Sequence, residues 1–205
     1  ESDIVNLKSI VKSNDVYILS DEVYEHIIFD GKNHRSMLSD DELFKRSFII
    51  SSFGKTFHIT GWKVGYCIAP PDLTNELRKI HQFLTFSTST PSQYALAEYI
   101  KNLRRIENLK NFYQSKRDLF LKLISGTGFK PLSCEGTYFQ LMDYSSLSDE
   151  NDFDFAVRLT KECGVASIPV SVFYKDRTDN KVLRFCFAKE EKTLEEAAER
   201  LKKFK

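Results

Sequence analysis

A lysine at position 55 follows Gly54 just beyond the apolar run SFIISS (Ser47–Ser52), with Ser52 three residues before it and Lys63 eight residues after it. A primary amine in such a place can form a Schiff base with an aldehyde. A serine hydroxyl, backbone amides and a second cation suit a phosphate group, and a glycine lets the backbone approach a ligand closely. A second set lies earlier in the chain. Asp21 and Tyr24 come directly after the β-branched and aromatic run DVYILS (15–20), at the carboxyl end of a strand, where open α/β sheets bind ligands. Taken singly, D-x-x-Y and S-x-x-K are common in loops and packed cores. An acid, a phenol, a serine and two lysines all placed just off strand ends form a far more specific combination.

The elements that must carry these residues alternate. A helical pattern (Ile4, Leu7, Ile10, Val11) precedes the strand DVYILS, and a turn at Asp30-Gly31 and a short helix near residues 41–45 separate it from SFIISS. WKVGYCIAP reads as a further strand stopped by Pro70-Pro71. This alternation predicts an α/β layer with a largely parallel sheet. From Asp72 the spacing turns helical through two long stretches, the second reaching Gly126 or Gly128 and read as one continuous helix. Beyond it come FKPLSC, GTYFQLMDY, a helix over 152–163, VASIPV and KVLRFCFAK. A last helix is marked by TLEE, a capping-box pattern at Thr193. This second region reads as a compact α+β unit.

Bulk properties narrow the function. Thirty basic residues face 29 acidic ones, a net charge of +1, so there is no basic field for nucleic acid and no polybasic patch for a membrane. No apolar run reaches the roughly 18–20 residues of a membrane span. The four cysteines are scattered without a C-x-x-C pair and the four histidines lack metal-ligand spacing, which predicts buried thiols in a reducing compartment and no structural metal. A cytoplasmic protein is expected. The chain starts at Glu1 with no initiator methionine, as a piece of a longer polypeptide would.

Three stretches, SDEVYEHIIFDG, SSFGKTFHITGWKVGY and LRFCFAKEEKTLEEAAERL, together resemble the class I/II aminotransferases, pyridoxal-phosphate enzymes of fold type I. The resemblance covers essentially the whole chain and is strongest to the branch of kynurenine, glutamine and methionine aminotransferases. It implies the second half of a subunit: residues 1–103 as the later part of the large α/β cofactor domain, 104–127 as a linking helix, and 128–205 as the small C-terminal α+β domain. By the same resemblance Lys55 holds pyridoxal 5′-phosphate and shuttles a proton, Asp21 sits beside the pyridine nitrogen, and Tyr24 hydrogen-bonds the 3′-oxygen. Ser52 and Lys63 match the phosphate contacts, with lysine standing where many relatives carry arginine. Arg184, which alone would read as a structural ion pair, matches the arginine that grips the substrate α-carboxylate. Phe86 falls in a loop that lines the neighbouring subunit's substrate pocket in relatives, and ordinary packing is its other reading. Ser87 replaces a histidine found in some kynurenine-active relatives, and Trp62 is expected to pack beside the phosphate site.

The implied activity is transfer of an amino group from a neutral apolar or aromatic L-amino acid, methionine-like foremost, to a 2-oxo acid. Alternatives are kynurenine transamination, β-elimination from cysteine conjugates, and a transcriptional regulator on the same fold. A homodimer is implied. So is a need for the other half of the subunit, which in relatives supplies a glycine-rich phosphate loop and the ring stacked on the cofactor.

Overall fold

The computed structural model describes residues 2–102 and 104–204. Helix α1 (Ser2–Ser13) and strand β1 (Ile18–Asp21) open a first unit that runs to His26 and resumes over Asn33–Leu109. It continues with α2 (Asp41–Phe44), β2 (Ser47–Ser52), α3 (Phe53–Thr56), β3 (Gly65–Ile68), α4 (Pro71–Leu84), α5 (Thr90–Tyr99) and α6 (Arg104–Glu107). Val11, Met37, Leu43 and Ile49 form its buried cluster, with Ile4, Leu7, Ile18 and Phe44 packed against them. The helical spacing of α1 and the apolar positions of β2 thus meet on one side of the sheet. Asp40 caps α2 by accepting the amides of Glu42 and Leu43.

The sheet order is β1-β2-β3, with β1 parallel to β2 and Asp21 opposite Ile50. β3 runs antiparallel, Ser52 facing Gly65, which corrects the largely parallel sheet expected from the sequence. The connection 53–64 holds only one turn of helix and a 3₁₀ turn, so the chain folds back beside β2 and makes no crossover. The stretch read as one long helix after residue 92 is likewise divided, α5 ending at Tyr99 and α6 at Glu107. Asn102 and Asn108 stand at the two breaks, and asparagine side chains compete for backbone hydrogen bonds. The boundary expected at residue 103 falls on Leu103, outside the described residues.

The second unit takes Ile27–Lys32 together with the chain from Lys110 onward. Its elements are α7 (Leu109–Leu123), β4 (Lys130–Pro131), β5 (Phe139–Asp143), α8 (Asp152–Arg158) continued by a π-helical turn (Leu159–Cys163), β6 (Ile168–Pro169), β7 (Val182–Cys186) and α9 (Glu191–Lys203). The antiparallel sheet is ordered β4-β5-β7-β6. Alternation along β7 buries Leu183 and Phe185 and turns Arg184 to the other face. Leu194, Ala198 and Leu201 make the apolar stripe of α9. The capping box expected at Thr193 is not made. The helix begins earlier, at Glu191 after Glu190, with no side-chain cap, and its first-turn acid suits the positive end of the helix dipole. Arg117 of α7 grips Asp30 with both terminal nitrogens, at 2.7 and 2.8 Å, and lies over the Phe29 ring, fixing the 27–32 segment.

Candidate functional site

Because β1 and β2 are parallel neighbours, their carboxyl ends lie side by side in the first unit. Asp21 is the last residue of β1 and is exposed; its Oδ1 accepts the Val23 amide at 3.2 Å. Tyr24 sits partly buried on the turn that follows, closed by the Glu25 amide donating to the Glu22 carbonyl at 2.9 Å.

Ser52 ends β2 and starts α3. Its Oγ accepts the Gly54 amide at 3.0 Å and donates to the Val64 carbonyl at a long 3.4 Å. Gly54 packs closely here: a Cβ would lie 3.0 Å from Thr60 Cα and 3.2 Å from Ser52 Oγ, so a larger residue would make its neighbours give way. Thr60 Oγ1 and the Ile59 amide both donate to the Gly54 carbonyl. Lys55, in α3, is therefore carried by a loop closed on itself and is half-buried. Lys63 is exposed and left-handed, φ 56°, a backbone conformation that costs a non-glycine residue on the order of 1 kcal/mol. Trp62, expected to pack, is 47% exposed within this chain.

Two neighbours that the sequence reading passed over hold this arrangement. Glu22, only 5% exposed, accepts hydrogen bonds from Ser20 Oγ, His34 Nε2 and the Met37 amide. Burial pushes its carboxyl up, but the bonds from Ser36, His34, Met37 and Ser20 outweigh this and hold it below the ordinary glutamate value. Glu25 Oε1 accepts from Ser51 Oγ at 2.7 Å and from the Tyr66 hydroxyl at 2.6 Å. The signal for both was their crowding with Asp21 in one short acidic run after a strand.

Arg184 is described within the second unit. Its guanidinium carbon lies 4.2 Å from the Phe139 ring centroid and 5.0 Å from that of Phe173. Its Nε is buried without a hydrogen-bond partner. A guanidinium near two aromatic faces with an unanswered donor has the planar fork that pairs with carboxylates elsewhere in proteins. Arg184 also borders a cavity of about 600 Å³ with Phe139, Ile168 and Cys186. Phe86 follows α4, left-handed at φ 63° and 84% exposed.

The residues off β1 and β2 have the chemistry to hold a phosphorylated aldehyde such as pyridoxal phosphate. Ser52 Oγ and the close Gly54 backbone suit a phosphate, and an amine such as that of Lys55 suits an aldehyde. Among the described residues no group of three His, Cys, Asp or Glu side chains gathers for a metal. No described helix is long and apolar enough to cross a membrane.

Comparison with known proteins gives a consistent picture. Residues 1–201 match the family described as aminotransferase class I and II. The chain is 46% identical to a methionine aminotransferase of Escherichia coli over 98% of its own length and 53% of that protein's. It is 36% identical to a kynurenine–oxoglutarate transaminase of Dictyostelium discoideum over 92% of this chain and 48% of that one. The solved E. coli methionine aminotransferase superposes with a TM-score of 0.94 at 46% identity, covering 99% of this chain and 53% of that one. An N-succinyldiaminopimelate aminotransferase of Mycobacterium tuberculosis gives a TM-score of 0.91 at 32% identity, covering 97% and 52%. The chain thus spans about half the length of the curated relatives it matches.

Proposed function

This chain belongs to the class I and II aminotransferases, fold type I enzymes that use pyridoxal 5′-phosphate, and from that we propose that it serves to move an amino group from a neutral apolar amino acid, methionine-like foremost, to a 2-oxo acid. The observation that carries the reading is the joint placement of Asp21 and Tyr24 off β1 and of Ser52, Lys55 and Lys63 off the neighbouring β2. The 46% identity to a methionine aminotransferase supports the choice of donor.

Pyridoxal phosphate, when bound, supplies an electron sink for the negative charge that develops at the substrate Cα. Lys55 Nζ would hold the cofactor and would take up the substrate Cα proton. The Asp21 carboxylate keeps the pyridine nitrogen protonated. The Tyr24 hydroxyl donates to the 3′-oxygen. Ser52 Oγ would hold the cofactor's phosphate, and Lys63 would add positive charge there as a point charge. Arg184 binds the α-carboxylate through its planar fork. Because the chain spans about half the length of its relatives, this activity is proposed for a subunit that carries the other half as well, acting as a cytoplasmic homodimer without nucleic acid or membrane, with Phe86 lining the partner's substrate pocket.

The test uses the complete subunit with pyridoxal phosphate, borohydride reduction and peptide mapping. The cofactor is expected on Lys55, and methionine is expected to bleach the visible band and leave as its 2-oxo acid, with kynurenine slower. Cofactor on another lysine, or robust turnover by Lys55→Ala without added amine, overturns the assignment. Pyruvate and ammonia released from a cysteine conjugate in place of amino transfer would make the enzyme a β-lyase.

A further inference from the structure

The turn carrying Tyr24 is fastened at its far end by a residue with no place in the chemistry above. Glu25 Oε1 accepts two hydrogen bonds, 2.7 Å from Ser51 Oγ and 2.6 Å from the Tyr66 hydroxyl. Ser51 and Tyr66 are direct partners across β2 and β3, so one carboxylate oxygen spans both strands. Ser51 is 2% exposed, and it immediately precedes Ser52 and the loop holding Lys55. At the near end of the turn the Glu22 amide donates to the Ile50 carbonyl at 2.8 Å, and the Glu25 amide closes the turn onto the Glu22 carbonyl. The backbone of Tyr24 is thereby tied on both sides to the strand that leads into Ser52 and Lys55.

We propose that Glu25 is a positioning residue, whose carboxylate ties the Tyr24 turn to the β2–β3 pair and keeps the Tyr24 hydroxyl in register with the Lys55 loop. The proposal rests on the reading of Tyr24 and Lys55 given above. Burial, and then the bond to Glu25, raise the Tyr66 hydroxyl above the ordinary tyrosine value, so Tyr66 stays a donor throughout the working range. A glutamine at position 25 keeps an acceptor oxygen for both hydroxyls, whereas an alanine removes it and leaves the two hydroxyls only their bond to each other. His26 Nε2 lies 3.8 Å from Glu25 Oε1, at the edge of ion-pair distance.

The experiment is a visible pH titration of the lysine-bound cofactor in the complete subunit, for wild type, Glu25→Ala, Glu25→Gln and Tyr66→Phe. A Tyr24 hydroxyl held on the 3′-oxygen favours the deprotonated chromophore. Loosening it in Glu25→Ala is therefore expected to raise the midpoint by about 0.5–1 unit. Glu25→Gln is expected to stay near wild type and Tyr66→Phe to fall between. If the carboxylate acted through its charge, Glu25→Gln would lower the midpoint, and that result overturns positioning. So does a folded Glu25→Ala with cofactor on Lys55 and an unmoved midpoint. Hydrogen exchange without cofactor provides the second readout: faster exchange in Glu25→Ala confined to the peptide over residues 21–26 supports the clamp, and unchanged exchange refutes it. A wild type that forms no lysine-linked chromophore removes the reading of Tyr24 and Lys55 instead, and the exchange result still decides whether the clamp exists.

Discussion

Arg184 lies near two aromatic faces and leaves a buried donor unanswered, and the proposed carboxylate role makes a specific prediction for it. Removing one partner of a buried charge pair costs about 2–5 kcal/mol. Arg184→Ala in the complete subunit is expected to lose that amount in kcat/KM for methionine, chiefly through KM. Arg184→Lys should recover only part of it, because an ammonium has no fork and stacks poorly between rings. Steady-state kinetics with methionine, set against its decarboxylated amine, isolate the effect. The penalty should vanish for the amine, and an equal penalty on both substrates would assign Arg184 to packing.

Short elements hold the candidate side chains in both units. In the second, Asp152 is 1% exposed and accepts the Ser171 amide at 2.7 Å and its hydroxyl at 2.6 Å. That fixes the 3₁₀ turn Val170–Phe173, which presents Phe173 to Arg184. Asp152→Ala leaves two buried donors unpaired and is expected to cost about 3 kcal/mol, read as a lower urea midpoint with unchanged slope. In the first unit, a Cβ on Gly65 would stand 2.6 Å from the Ser51 carbonyl oxygen. Gly65→Ala must push β3 from β2 and is expected to cost about 1–3 kcal/mol, with weaker cofactor retention on gel filtration because Ser52 lies opposite Gly65. The sequence made SFIISS legible to the residue, since β-branched and small side chains in a buried run leave few alternatives. It also placed Asp21, Ser52 and Lys55 at strand ends. The direction of β3 was not legible, because strand direction depends on how the 53–64 loop closes through Thr60 and Ile59 onto Gly54. Nor were the clamps of Glu22 and Glu25, whose partners His34, Ser51 and Tyr66 lie 12, 26 and 41 residues away. Composition cannot pair such residues; only the register of the sheet does.

Charge joins these local devices into a common response to acid. At neutral pH thirty basic groups nearly cancel 29 acidic ones, so self-repulsion is small. Each unit contains a carboxylate held below its ordinary value. Glu22 in the first unit is lowered by its hydrogen bonds against the pull of burial, and Asp30 in the second by the hydrogen bond from Arg117. A carboxyl depressed in the folded state binds protons more readily once unfolded, so its contribution to stability is fully present above the unfolded value, about 4 for these two groups. The contribution is lost as pH falls through the lower folded value. Below about pH 4 both units therefore weaken while the net charge climbs toward that of the basic residues and the four histidines. Urea midpoints are expected to hold level from pH 7 to pH 5 and then drop steeply. Glu22→Gln removes a titrating group and is expected to lower stability at pH 7 yet flatten the acid slope, because glutamine keeps an acceptor but binds no proton. If wild type and Glu22→Gln lose stability in parallel between pH 5 and pH 3, the Glu22 network contributes nothing to acid sensitivity, and the remaining carboxylates carry it.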